Sequence, residues 1–371
     1  MALSDGSTLG LALSGGGFRA TLFGLGSLLR LNDSMLLQRL DRIASVSGGS
    51  ILAGVLASRW HTLQFADGRA TNFASVIAEP IQKFCSETAD IEAGILGWIT
   101  PFRSAGDYLE KHYRNELFGE ISIKDLPKRK TNEAPLFVFY ATNMQTGRSF
   151  RFRQDMIADY RLGINETANI PLATAVTASS AFPPLFSPIC VKTNANDWRD
   201  AKFDGDPDLL NRFRKEIVLA DGGIYDNIGL ESLNEDIRLV SDAGAPFELE
   251  ESPKGDYFSQ LGRVRDILID QTRALRKRSL IGAFERGEWR GAYWGIGTEI
   301  GEYPVADKLV NDTSITQALE AVPTRLAAVH SNLQGQLINW GYALADAALR
   351  SRAKLDIPMS PGLPFPDYAL E

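Results

Sequence analysis

The sequence predicts an α/β fold of three layers, α/β/α, in which helices cover a mainly parallel central sheet. Two βα units follow one another near the start, each with an apolar strand, a turn of small residues and a helix. Composition agrees, because 44% hydrophobic and 23% charged residues over 371 positions are typical of a globular chain with a sizeable core. We expect one large domain, or one domain with an appendage.

The first βα unit begins with the apolar run 8–13, which leads into three successive glycines, Gly15, Gly16 and Gly17. Residues 20–31 then carry leucines at helical spacing. Glycines between a strand and a helix lack Cβ atoms, so their N–H groups can approach an anion closely. Gly15, Gly17 and Ala20 also match a degenerate dinucleotide-binding pattern, but the acidic residue that such a site needs at the end of its second strand is missing.

The second unit consists of a short strand at 41–45, a turn of small residues and a helix at 50–59. A strained strand-to-helix turn that carries a nucleophile tolerates only small residues two positions before and after it. Ser47 meets this rule, since Ser45 precedes it and Gly49 follows it. Ser47 is therefore the predicted nucleophile, although a plain turn with a helix cap is the alternative for this segment alone.

A third motif supplies the predicted base. Asp221 follows the apolar run 217–220 and precedes two glycines, so we expect it at the carboxyl end of a parallel strand, where α/β proteins assemble their sites. Asp-Gly is also a common turn signal, so this motif indicates chemistry only together with the other two. A Ser-His-Asp esterase is a competing arrangement, but His330 falls in a predicted helix, and His61 and His112 are predicted to be structural.

The rest of the chain continues the α/β pattern. Further strands are predicted at 136–142, 149–153, 237–240 and 289–297, and further helices at 171–180, 258–280 and 323–350. The predicted catalytic domain spans 1–245 and carries insertions at about 61–134 and at 192–215, the second resembling a mobile surface loop. Residues 246–371 are predicted to pack on this domain or to extend it.

Charge and cysteine content exclude several classes of protein. A net charge of −7 is unfavourable for a protein that has to neutralise many phosphates, so no nucleic-acid partner is expected. Cys85 and Cys190 form no disulfide framework, and no Cys/His spacing indicates a metal site, so we expect no metal and no other cofactor. Residues 1–7 lack a signal-peptide pattern, and no apolar run approaches the ~18 residues that cross a bilayer. We expect a cytoplasmic protein that touches membranes peripherally.

Two kinds of segment connect the sequence with lipid. The uncharged, aromatic-bearing run 95–102 suits a flap or a lipid interface, with core packing as the alternative. The basic clusters at 128–130 and 273–278 are interpreted either as solvated faces or as sites that attract anionic head groups.

Together the three motifs resemble those of the patatin-like phospholipase family. The matching motifs are a glycine loop from Gly15 to Arg19, a serine elbow around Ser47 and an Asp-Gly-Gly motif at Asp221. Ser45 replaces the first glycine of the elbow, and it is small enough to keep the turn. Stretches 178–186 and 221–229 resemble the family as well, so that the similarity spans roughly residues 8–240.

The resemblance implies a patatin-like fold and a lipid acyl hydrolase with a Ser-Asp dyad and an acyl-enzyme intermediate. In that scheme Ser47 attacks the ester carbonyl, Asp221 accepts its proton, and the N–H groups of Gly15 to Gly17 hold the oxyanion. Arg19 is assigned to the shape or the electrostatics of the glycine loop. Desolvation is expected to raise the pKa of the carboxylate enough for it to act as a base.

A catalytically idle binding or regulatory module with the same fold is the alternative function. The expected partners are a phospholipid or another acyl ester, and a membrane surface. Because the chain after about residue 247 matches no motif of the family, a further hypothesis assigns that region to a homo-oligomer interface or to a small-molecule activator.

Overall fold

The computed structural model describes residues 6–88, 105–128 and 134–371. The strands in these ranges are β1 (Leu9–Leu13), β2 (Arg42–Val46), β3 (Phe65–Ala66), β4 (Arg69–Ala70), β5 (Leu136–Asn143), β6 (Arg148–Arg153), β7 (Ile157–Asp159), β8 (Gly163–Asn165), β9 (Ile189–Lys192), β10 (Trp198–Arg199), β11 (Glu216–Asp221), β12 (Ile237–Asp242) and β13 (Arg290–Gly295). The α-helices are α1 (Gly17–Asp33), α2 (Gly48–Arg59), α3 (Glu79–Cys85), α4 (Ala105–Tyr113), α5 (Leu172–Ser180), α6 (Pro207–Lys215), α7 (Gly223–Asp226), α8 (Tyr257–Glu285), α9 (Ser314–Ala318) and α10 (Ser331–Ala348). None of these helices is long and apolar enough to cross a membrane.

The main sheet is parallel at its centre and antiparallel at one side. Strands β5, β2, β1, β12 and β13 lie side by side in that order and run parallel. Strands β6, β7, β8 and β10 continue the sheet beyond β5 in antiparallel pairs. Helices α1, α2 and α10 cover one face over the large apolar core, and the end of α8 covers a smaller core on the other face. The predicted three-layer α/β/α fold is confirmed.

The C-terminal region adds to both the sheet and the helical layer. Strand β13 pairs with β12, and α10 lies so close to α1 that a Cβ atom on Gly26 or Gly341 would collide with the backbone of the facing helix. A buried ion pair joins the same two helices, with Arg30 Nε 2.8 Å from Asp346 Oδ1. The division of the chain near residue 245 stays a prediction.

The helix predicted at 323–350 begins later than expected. Helix α10 starts at Ser331, and the chain before it is not helical. Its backbone is engaged elsewhere, because the Arg325 carbonyl accepts a hydrogen bond from Phe18 N (3.0 Å) and Val329 N donates to the Cys85 carbonyl (2.8 Å). Residues 323–330 therefore form an irregular segment, which we call the strap, that contacts the start of α1 and the end of α3. His330 occupies the N-cap position of α10 instead of lying within the helix.

The two predicted insertions contain regular structure. Segment 192–215 resembles a mobile loop by composition, but it holds β10 and α6, whose first turn is capped by Asp206 Oδ1 accepting from Asp208 N (2.9 Å). Segment 61–134 holds the β3–β4 pair, α3 and α4. The apolar run 95–102 and all but Lys128 of the first basic cluster lie outside the described residues.

Strand β11 runs antiparallel to β5, which corrects the prediction of a parallel strand before Asp221. Both β2 and β11 use the same edge of β5: β2 reaches Val46 opposite Tyr140, and β11 arrives from the other direction with Asp221 opposite Ala141. The carboxyl ends of β2 and β11 therefore meet head-on. An apolar run of four residues carries no information on strand direction, so the sequence did not distinguish the two cases.

Candidate active site

Ser47 stands alone between a strand and a helix. Strand β2 ends at Val46, α2 begins at Gly48, and the backbone of Ser47 has φ 51° and ψ −119°. This conformation is strained for any residue with a Cβ atom, and such strain is typical of functional turns. Ser47 is only 8% exposed, and the N-terminus of α2 directs its positive dipole end toward it. The turn predicted around Ser47 is present.

A chain of buried serine hydroxyls holds the turn from below. Ser47 N donates to Ser179 Oγ (3.0 Å), which lies 2.8 Å from Ser50 Oγ. Ser50 donates in turn to Ser45 Oγ (3.0 Å), and Ser45 donates to the Val138 carbonyl (3.2 Å). The serine in place of the first elbow glycine is therefore part of the support. Sequence reasoning missed Ser50 and Ser179, although Ser179 lies in the family-like stretch 178–186.

The glycine loop and the serine turn touch through their backbones. A Cβ atom on Gly48 would collide with the Gly17 carbonyl, and one on Gly49 would collide with the Leu13 carbonyl. Gly49 N also donates to the Ser14 carbonyl at 3.1 Å. Small residues at these positions are thus needed for the close approach of two βα units, as well as for the turn itself.

The three loop glycines differ in what their amides can do. Gly15 N already donates to the Asn227 carbonyl (3.0 Å), so this amide is occupied and does not face an empty site. Among the described residues, the amides of Gly16 and Gly17 have no hydrogen-bond partner, and both residues line the same cavity as Ser47. Of the three amides predicted to hold an oxyanion, only those of Gly16 and Gly17 are therefore available, because the Gly15 amide binds the turn that carries Asn227.

Arg19 is buried beneath the glycine loop, where it joins three segments. Its Nε donates to the Ala243 carbonyl (3.0 Å), one terminal nitrogen donates to Thr324 Oγ1 (2.9 Å), and the other donates to the Val322 carbonyl. Burial, followed by repulsion from Arg273, lowers the pKa of the guanidinium to about 10. Arg19 thus links α1 to the end of β12 and to the strap.

Asp221 lies at the end of β11 and is 3% exposed. Gly223 N donates to its Oδ1 at 2.6 Å, and Thr142 Oγ1 donates to its carbonyl at 2.8 Å. Burial raises the pKa of the carboxyl to about 6, against smaller lowering contributions from the Gly223 amide and from the hydroxyl of Ser47, which faces the carboxylate. A carboxylate with this pKa is still mostly ionised at neutral pH and is a better proton acceptor than an exposed one.

These groups share one cavity of about 560 Å³. Its floor holds Gly16, Gly17, Ser47 and Asp221, and its walls come from the 182–186 loop, the chain after β12, the strap and the inner side of α8. This volume is in the range of small-molecule and cofactor pockets. The structure brings together Ser47, Asp221 and the glycine loop, although 174 sequence positions separate the first two.

The histidines lie elsewhere. His330 occupies the N-cap position of α10, His61 is exposed in a short 3-10 turn, and His112 lies against the ring of Phe84 with 5.2 Å between ring centroids. All three belong to the described part of the chain, and none of them lines the cavity. No group of three metal-binding side chains occurs in the described ranges.

The chain is similar to known lipid-cleaving enzymes. A sequence model of the family described as patatin-like phospholipase matches residues 11–234. Lysophospholipase 2 of Candida albicans is 47% identical over 64 residues, which cover 15% of this chain and 10% of that protein.

Alignments with solved structures cover more of this chain, but at lower sequence identity. Human GIVD cytosolic phospholipase A2, in complex with methyl gamma-linolenyl fluorophosphonate and terbium chloride, aligns at a TM-score of 0.49 and 12% identity, covering 92% of this chain and 57% of that one. VipD from Legionella pneumophila aligns at a TM-score of 0.35 and 16% identity, covering 93% and 68%. The chain thus spans a tenth of the Candida protein and a little over half of the human one.

Proposed function

Because the chain belongs to the patatin-like phospholipase family, we propose that it hydrolyses fatty-acyl ester bonds of phospholipids, with Ser47 as nucleophile and Asp221 as base. The observation that supports this most directly is the meeting of the two side chains at the bottom of one cavity, with the Ser47 hydroxyl facing a carboxylate whose pKa is raised to about 6. No cofactor is part of the proposal.

In the proposed first half-reaction, Asp221 takes the hydroxyl proton while Ser47 Oγ bonds to the ester carbonyl carbon. The carbonyl oxygen becomes an oxyanion that accepts hydrogen bonds from the amides of Gly16 and Gly17. The tetrahedral intermediate then collapses, the bond to the leaving alkoxide breaks, and Asp221 returns its proton to that oxygen. The acyl group stays on Ser47 as an ester.

The second half-reaction repeats these steps with water. Asp221 removes a proton from water, the resulting hydroxide adds to the acyl carbon, and the same two amides hold the second oxyanion. When the intermediate collapses, Ser47 leaves and takes the proton from Asp221, which releases a free fatty acid. In this scheme Arg19 touches no reacting atom, and it acts by holding the strap and the glycine loop together.

Substitution of the nucleophile tests this proposal. The parent protein, Ser47→Ala and Asp221→Asn are assayed on a short-chain aryl ester, and fatty acid released from defined phospholipids is identified by mass spectrometry. We expect both variants to lose at least about a thousandfold in turnover while keeping the circular dichroism of the parent. No turnover of either substrate by the parent would refute the proposal and would favour an idle binding module.

The lipid class also suggests where the protein works. We expect it to act at membrane surfaces, since its substrates reside there. An activator or a second subunit for the C-terminal region stays a hypothesis, motivated by the strap, because residues 324–326 line the cavity and belong to the part of the chain that the family model does not match.

A further inference from the structure

Helix α8 is exposed to an unusual degree for its length. It runs for 29 residues, yet only Leu280 and Ala283 are buried, both in its last two turns. Seven of the thirteen large apolar side chains that are exposed in the described residues lie on this one helix. Such a concentration on one element differs from the scattered apolar residues of an ordinary surface and marks an interaction site.

The two sides of α8 have opposite character. Its polar residues Asp266, Asp270 and Arg273 follow one another at helical spacing and line the cavity, so this face looks inward. On the opposite side lies an apolar stripe with spacings of four, three, four and seven residues, which keep its members on one face of the helix. We call it the outer stripe, and its members are Tyr257, Leu261, Val264, Leu268 and Leu275.

The inward face is held in place by ionic contacts, so the outer stripe has a defined orientation. Arg273 donates to Asp242 Oδ2 through two nitrogens, at 3.1 and 3.0 Å, and Tyr293 donates to the same oxygen at 2.9 Å. Attraction by Arg273 and hydrogen bonds from its neighbours keep the pKa of the buried Asp242 below its ordinary value despite desolvation. Turning α8 to bury its outer stripe would break these contacts.

The wall of the cavity facing α8 is also apolar and exposed. Phe182 and Leu185 lie in the cavity wall with 36% and 45% of their surfaces exposed. Arg265 of α8 reaches this wall, with its guanidinium 5.3 Å from the ring centroid of Phe182 and one nitrogen 3.5 Å from the Pro183 carbonyl. Exposed apolar side chains are therefore present at the cavity wall next to α8 as well as on the helix itself.

Charge distinguishes between two occupants of this surface. Helix α8 carries six basic and three acidic residues, whereas the whole chain has a net charge of −7. A second copy of the chain would bring two basic helices together, which is unfavourable at short range. The surface of an anionic bilayer attracts the net positive charge of this helix and accepts the apolar stripe between its head groups. Arg278 is exposed three residues after Leu275 of the stripe.

We propose that the outer stripe of α8, together with Phe182 and Leu185, docks the protein on anionic phospholipid bilayers with the cavity rim at the lipid surface. The biological role of this docking rests on the proposed function, because docking there lets a lipid molecule pass from the bilayer to Ser47. The docking surface itself is identified from exposure and charge, independently of that function.

The test measures binding separately from turnover. Co-sedimentation with vesicles is performed in the Ser47→Ala background, using phosphatidylcholine alone and phosphatidylcholine mixed with phosphatidylglycerol. We expect binding to the mixed vesicles, weakened by added salt. The pair Leu261→Ser and Leu268→Ser is expected to lower the partition coefficient at least tenfold, which corresponds to about 1.4 kcal/mol.

Two controls keep the result interpretable. Met359→Ser removes an apolar side chain of similar size that is 62% exposed at another site, and it should leave vesicle binding unchanged. If the first pair lowers the melting temperature, Val264→Ser with Leu275→Ser tests the same stripe in its place. Equal binding by stripe variants and parent would overturn the proposal, as would a parent dimer that these variants dissociate. A parent without ester turnover would refute only the proposed function, because vesicle binding is measured independently.

Discussion

Replacing Asp221 with asparagine should stabilise the fold while abolishing ester turnover. The carboxylate is buried at the end of β11, and burial raises its pKa from 3.8 to about 6. Asparagine has nearly the same shape, and its carbonyl oxygen can still accept the hydrogen bond from Gly223 N. It carries no charge to desolvate, but it also cannot take a proton from Ser47.

The magnitude follows from the change in pKa between the unfolded and the folded chain. A difference of about two pH units corresponds to about 3 kcal/mol that the folded state loses when the carboxyl is ionised. Above pH ~6 both states carry the ionised form, so the full penalty applies. As the pH falls from about 6 toward 3.8, the folded chain binds the proton first and the penalty disappears.

The assay is urea unfolding of the parent and of Asp221→Asn at about pH 7.5 and about pH 4. We expect the variant to have the larger free energy of unfolding at the higher pH, by up to about 3 kcal/mol, and nearly the same value at the lower pH. For the same reason, kcat/KM of the parent should fall about tenfold for each pH unit below ~6.

A neighbouring aspartate provides a matched control, for which we expect the opposite change in the free energy of unfolding. Asp226 is also buried, but its two oxygens accept four backbone N–H groups, from residues 228–231, at 2.7 to 3.1 Å. Asp226→Asn leaves some of these donors unpaired and should destabilise the fold by about 2 kcal/mol. If Asp221→Asn were as destabilising as the control, or if parent turnover were unchanged at about pH 5, the role given to the buried carboxylate would be refuted.

Three further substitutions test the geometry around Ser47. Ser47→Gly should have a free energy of unfolding about 1 kcal/mol larger than that of Ser47→Ala in urea, because only glycine adopts the strained backbone without cost. Equal free energies of unfolding for the two variants would argue against strain at this position. Gly48→Ala should cost about 2 kcal/mol or more and lose aryl-ester turnover, since its Cβ meets the Gly17 carbonyl; full activity would contradict the close approach of loop and turn. Arg19→Lys should cost about 2–4 kcal/mol by urea unfolding, because one ammonium cannot reach all three acceptors; wild-type stability would show that the bridge is dispensable.

The parts of the site that depend on local backbone rules could be predicted from the sequence. The requirement for small residues around a strained turn selected Ser47 among three neighbouring serines, and the structure has that turn. The apolar runs before the glycine loop and before Asp221 gave β1 and β11 to within one residue. These features are specified by a few consecutive side chains.

Features that depend on distant contacts could not be predicted in this way. The strap at 323–330 has a helical apolar pattern, but hydrogen bonds to Phe18 and Cys85 hold its backbone in another conformation. The direction of β11 is set by its partner β5, and the support by Ser179 requires knowing that α5 packs beneath the turn. Helix α6, in contrast, had a readable signal in the Asp206-Pro207 pair, which is typical of a helix start.

Strand β5 fixes the distance between the two strand ends at the site. The two strand ends that carry Ser47 and Asp221 are spaced by consecutive β5 residues, Tyr140 and Ala141, which pair with one strand end each. One amino acid inserted between these two would move the strand ends apart by about 3.3 Å, which is longer than a hydrogen bond. The pairing positions on a strand that contributes no side chain to the proposed chemistry therefore set the separation between the proposed nucleophile and the proposed base.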